Sequence, residues 1–250
     1  MHDRGSGPAV LLLHAFPFDA RMWDAQVEAL STSHRVISVD MPGFGGAPPW
    51  IDAPSLDAWA LDLLAQLRIQ GVTGATIAGC SLGGYLAFAI HRAAPDFIRG
   101  LALVDSRAVP DTAERRAARL ADAARVAREG PAFFINAARE DLAIELGAYP
   151  AALASATAML DDATGDGIVG ALVAMAGRPD AGPQLKPLEV PVTVIRGERD
   201  PIVGADEARA MAAEIPGATF TEIEGAAHIP TFARPSSVTD ALFSLLARTK

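Results

Sequence analysis

Short apolar runs alternate along this chain with stretches in which apolar residues recur every three to four positions. Runs near residues 8–14, 35–40, 74–79, 99–105, 190–196 and 218–223 predict buried strands. Helical spacing near 20–31, 56–69, 82–94, 204–214 and 236–248 predicts amphipathic helices. Near-continuous apolar strands, each followed by a helix, predict an α/β fold with a parallel sheet covered on both faces. Ligands of such sheets bind beyond the carboxyl ends of the strands. The alternation stops between about residues 107 and 187, where Thr112 to Arg128 and Ala151 to Leu160 read as helical and no strand pattern occurs. A structureless loop of that length does not fit a packed domain. A helical insertion, residues 107–187, is therefore expected between core segments 1–106 and 188–250.

Chemistry enters at the ends of the strands. Gly79-Cys80-Ser81-Leu82-Gly83 lies between a predicted strand and a predicted helix, the setting of a nucleophile elbow. Two later strands end in Arg196-Gly197-Glu198-Arg199-Asp200 and Glu224-Gly225-Ala226-Ala227-His228. A serine hydroxyl needs a base within hydrogen-bond reach, and the base needs an acid to fix its tautomer. The order Ser81, Asp200, His228 supplies all three roles from three strand ends. His2, His14, His34 and His91 occupy a terminus, an early strand end, a strand start and the elbow helix, so His228 is the expected base. Asp105 also ends a strand and is the alternative acid. Cys80 reads as a small buried hydrophobe rather than a second nucleophile.

These motifs, with Leu13-His14-Ala15-Phe16-Pro17 and Asp40-Met41-Pro42-Gly43-Phe44-Gly45, resemble the α/β-hydrolase fold superfamily over almost the whole chain. The resemblance is greatest to small bacterial serine esterases and lactonases of the 3-oxoadipate enol-lactonase-like group. It implies that the insertion is a cap over the active site. It also implies that the backbone N–H groups of Phe16 and Leu82 form the oxyanion hole, although Ala15 stands where the family has glycine. Relatives acting on epoxides or haloalkanes use an Asp nucleophile, which Ser81 is not. Family members usually begin with a β-hairpin. Only Met1 to Gly7 precede the first predicted strand here, so about six strands are expected, with 35–40 at an edge.

Composition narrows the partners. A net charge of −9 over 250 residues argues against nucleic acid. No apolar stretch is long enough to cross a membrane, and the single cysteine fits a reducing, cytoplasmic compartment. No phosphate loop and no His/Cys/Asp cluster of metal-ligand spacing occurs, so neither cofactor nor metal is expected. The expected protein is a monomer or homodimer that hydrolyses small esters or lactones. Thioester or carbon–carbon bond hydrolysis, cofactor-free perhydrolysis and simple ligand binding remain as alternatives. Phe16, Phe18, Trp23, Met41, Phe133, Phe134, Met159 and Met175 are candidate pocket walls, and Arg107, Arg139 and Arg178 are candidate partners for a substrate carboxylate.

Overall fold

The predicted strands pair into one sheet in the computed structural model, which describes residues 1–50 and 52–249. The elements run in the order β1 His2–Arg4, β2 Ala9–Leu13, α1 Asp24–Leu30, β3 Arg35–Val39, α2 Leu56–Ile69, β4 Ala75–Cys80, α3 Leu82–Ala93 and β5 Ile98–Val104. Then come α4 Ala113–Glu129, α5 Ala132–Leu146, α6 Pro150–Asp162 and α7 Gly165–Ala176. The chain closes with β6 Val192–Gly197, α8 Ala205–Glu214, β7 Thr219–Ile223, α9 Pro230–Ala233 and α10 Pro235–Leu246. Among the described residues the sheet has seven strands in the order β1-β3-β2-β4-β5-β6-β7, all parallel but for β1.

The expected count of six strands is corrected by β1. His2–Arg4 pairs antiparallel with β3, so residues 35–40 are not an edge. Three exposed polar residues carry no strand pattern, and pairing there satisfies the outer backbone groups of β3 rather than burying side chains. The strand does not form a hairpin with β2, because β3 lies between them.

Position in the sheet explains the patterns. Central β4 is buried at all six positions, hence its unbroken apolar run, while edge strand β7 is fully buried only at Ile223. Helix α2 spans its predicted residues because its signals are local. Ser55 Oγ accepts the Ala58 N–H at 3.4 Å at its start, and Gly71 takes φ +77° just past its end.

The chain leaves β2 for β3 on one side and later adds β4 on the other. That reversal opens a crevice at the carboxyl ends of β2 and β4. Two glycines permit the packing there. A Cβ on Gly79 would lie 2.3 Å from the Gly83 carbonyl oxygen, and one on Gly83 would lie 2.2 Å from that of Leu13. Gly83→Ala is therefore expected to destabilise the fold by about 1–3 kcal/mol, since backbone cannot yield as a side chain does. Thermal unfolding checks this, and an unchanged Tm would refute the close packing.

The segment between β5 and β6 contains four helices and no strand among the described residues. Thr164 ties it to the body of the fold: its Oγ1 caps α7 at Gly167 N–H and lies 3.0 Å from the Gly43 carbonyl, to which it donates.

Candidate active site

Ser81 sits between β4 and α3 with φ 49° and ψ −109°, a region costly for any residue with a Cβ, of order 1–3 kcal/mol. The turn is held from both sides. Ser81 N–H donates to the Val104 carbonyl at 2.9 Å, and the Ser106 hydroxyl donates to the Ser81 carbonyl at 2.9 Å. Strain supported in this way presents the hydroxyl above the sheet rim. His228 Nε2 lies 3.0 Å from Ser81 Oγ, and His228 Nδ1 lies 3.0 Å from each Asp200 oxygen. A carboxylate only accepts, so Nδ1 carries the proton and Nε2 accepts from the serine hydroxyl.

Asp200 and Asp105 share one buried corner. Ligating atoms of Asp105, Asp200 and His228 all lie within 4.8 Å of one another. Burial alone would raise the Asp200 carboxyl, but the hydrogen bond and charge of His228, with bonds from Asp105 and the Ile202 N–H, hold it below the usual carboxylate range. Asp105 shifts the opposite way. Its burial, followed by the adjacent charge of Asp200, pushes it well above that range. Asp105 Oδ1 accepts the Gly197 N–H at 2.9 Å, while no N–H or hydroxyl reaches its buried Oδ2, which can bond Asp200 only by carrying a proton. The surroundings thus favour the protonated form of Asp105 and the ionised form of Asp200.

That pair carries a signature in stability. A pKa raised on folding contributes stability that is fully present below the unfolded value, near 3.8, and is lost as pH rises through the folded value. Asp105→Asn removes the titration, and Asn tolerates the φ of 41° found there. The Tm of this variant is expected to gain on that of the parent protein as pH rises from about 5 to about 9. Parallel Tm curves would show that Asp105 does not hold a proton.

His14 has a different job from His228. Burial lowers its pKa, so it stays neutral. Its Nδ1–H donates to the Ala15 carbonyl at 2.9 Å, and its Nε2 accepts the Met41 N–H at 2.8 Å. It pins the loop after β2 to the loop after β3. Leu13 pairs with Gly79, so Phe16 and Leu82 each lie three residues beyond one register position. Neither of their backbone N–H groups finds an acceptor among the described residues. Cys80 is fully buried, and that burial raises its thiol, which makes it a poor nucleophile.

A cavity of about 700 Å³ opens beside His228. Phe16 and Phe18 line it as the sequence led one to expect, and Phe134 packs against Phe16 at a tilt, with ring centroids 5.4 Å apart. Phe133 instead packs against Phe134 and lies beneath Arg125. Trp23, Met159 and Met175 are buried core, and Met41 is buried at a separate cavity. The inserted segment contributes Ala138, Asp141, Leu142, Ile144 and Glu145 from α5. Sequence reading missed these. Four of them, Ala138, Asp141, Leu142 and Glu145, have the spacing i, i+3, i+4 and i+7 of one helical face, which mixes apolar and acidic residues.

The three candidate arginines do not converge on this cavity. Arg107 pairs with Glu207 at 3.2 Å and donates to the Ile202 carbonyl. Arg139 pairs with Asp161, and Arg178 is buried against Asp111 at 2.8 Å. Each guanidinium already has a carboxylate of the protein as its partner.

A profile of the alpha/beta hydrolase family matches residues 10–241. The chain belongs to the alpha/beta hydrolase family. A thermophilic esterase from Thermogutta terrifontis, solved with malate bound, is 37% identical with a TM-score of 0.94 over 98% of this chain and 92% of that one. Pimeloyl-[acyl-carrier protein] methyl ester esterase of Chromobacterium violaceum is 29% identical over 244 residues, 95% of this chain and 94% of that protein. The enol-lactonase from Burkholderia xenovorans LB400 shares the fold, with a TM-score of 0.87 at 24% identity, over 98% of this chain and 95% of that one. Bifunctional epoxide hydrolase 2 of Sus scrofa is 35% identical over 111 residues, 43% of this chain, and the chain spans only 20% of its length. This alpha/beta hydrolase thus has esterases among its relatives. No helix among its described residues is long and apolar enough to cross a membrane.

Proposed function

We propose that this alpha/beta hydrolase is a serine esterase or lactonase acting on small carboxylic esters through an acyl-enzyme. One observation carries the reading: the hydrogen-bonded line from Ser81 through His228 to Asp200, each link 3.0 Å long, beside the cavity. Ser81 Oγ attacks the ester carbonyl as His228 Nε2 takes its proton. Asp200 orients the ring and stabilises the imidazolium. The Phe16 and Leu82 N–H groups, which have no acceptor among the described residues, meet the oxyanion. His228 returns the proton to the leaving alcohol. Water then attacks the acyl-enzyme by the same route in reverse.

Residues 107–187 act as a cap in this reading, with α5 supplying walls of the cavity. The ester preference draws on the Thermogutta and Chromobacterium relatives, whose names are those of esterases. The epoxide chemistry named for the pig relative does not carry over, since a serine stands at the elbow. The single buried Cys80 fits a reducing, cytoplasmic setting. A panel of 4-nitrophenyl esters of increasing acyl length, run beside five- and six-membered lactones, tests the reading. Turnover that saturates for at least one of them is expected. Failure on the whole panel, with thioesters cleaved instead, would move the assignment to the thioester alternative.

A further inference from the structure

Building on the ester reading, we infer that the cavity discriminates by charge, with Glu145 as the specificity residue: it admits uncharged and cationic esters and rejects anionic ones. Glu145 comes from the last turn of α5 and lines the cavity together with His228. Its Oε1 accepts the Ile229 N–H at 2.6 Å, so it reaches across from the inserted segment to the residue after the catalytic base. A short bond to a backbone N–H fixes the carboxylate in place before any substrate arrives. Oε2 has no hydrogen-bond donor among the described residues.

The remaining charges do not offset it. Asp141, one turn earlier on the same face, adds an exposed carboxylate, which water and salt also screen. Arg199 is the one guanidinium among the lining residues, and its side chain is 75% exposed, where water and salt screen it. Glu145 is half-buried; burial raises its carboxyl while the Ile229 N–H and His228 favour its charge, and the field of the ionised form is screened less than that of Arg199. Arg107, Arg139 and Arg178, which could have received a substrate carboxylate, hold Glu207, Asp161 and Asp111 instead. An acyl or alcohol group ending in a carboxylate would therefore enter beside a positioned carboxylate, with only the solvent-screened Arg199 among the described lining residues to receive it. One ending in a methyl group meets Phe16, Phe18 and Leu142, and one ending in a quaternary ammonium gains the attraction of Glu145.

The test is a set of 4-nitrophenyl esters of matched acyl length, ending in a methyl, a carboxylate or a trimethylammonium group. Each kcat/KM is divided by that ester's rate with hydroxide, and the assays run at low ionic strength. The anionic ester is expected to fall below the neutral one by about 10–100-fold, and the cationic ester to equal or exceed it. Glu145→Gln keeps an acceptor for the Ile229 N–H and removes the charge. It is expected to raise the anionic-to-neutral ratio by about tenfold and to lower the cationic-to-neutral ratio. The parent series alone is decisive if the variant fails to fold. Anionic turnover equal to or above neutral would overturn the inference and leave the ester reading standing, as would a ratio that Glu145→Gln does not move. Inactivity on all three esters, with no reaction of Ser81 toward a fluorophosphonate, would refute the ester reading itself and the inference with it.

Discussion

Ser81→Ala is expected to lower kcat for the best ester by about 10⁶-fold while leaving the protein folded. The hydroxyl is the only group of the elbow that can form the acyl bond, and His228 Nε2 has no other partner to activate. The turn itself does not depend on that hydroxyl. It is held by the Ser81 N–H on Val104 and by the Ser106 hydroxyl on the Ser81 carbonyl, and both bonds survive the change. Stopped assays with purified variant, together with a melting curve, check both halves. Activity within tenfold of the parent would remove Ser81 from the mechanism. A large drop in Tm would show that the hydroxyl supports the fold.

The second large effect separates two aspartates that lie side by side. Asp200→Asn is expected to cost about 10³–10⁴-fold in kcat. An amide facing His228 Nδ1 would present its N–H, so the ring would move its proton to Nε2, where it could no longer accept from Ser81. Asp105→Asn is expected to cost tenfold or less, roughly the loss of one neutral hydrogen bond. Burial and Asp200 favour the uncharged form of Asp105, and Asn can still accept the Gly197 N–H. Steady-state kinetics of the two variants decide the matter. The reverse order of losses would make Asp105 the acid.

What the sequence made legible was what local patterning determines. The six longer strands and helix α2 carry their own boundaries in apolar runs, a serine cap and a terminal glycine. The elbow was visible because its two glycines answer to backbone contacts that allow no other residue. Strand β1 was not, because three exposed polar residues pair for the sake of β3 and not of their own side chains. Helix α5 was missed for a related reason. It has no side-chain cap at its start, and the face it turns to the cavity carries Asp141 and Glu145, which break an apolar stripe. Choosing wall residues by bulk therefore favoured Met159 and Met175, which the fold buries. The arginines failed as candidates because their partners, Glu207, Asp161 and Asp111, are supplied by tertiary contact.

Activation of Ser81 as a nucleophile by His228 is open to covalent trapping. The folded protein is treated with a small fluorophosphonate, digested, and the adduct located by mass spectrometry. A single adduct is expected on Ser81, formed at a rate that falls by several orders of magnitude in His228→Ala. Labelling at another residue, or labelling of Ser81 at an equal rate without His228, would contradict it.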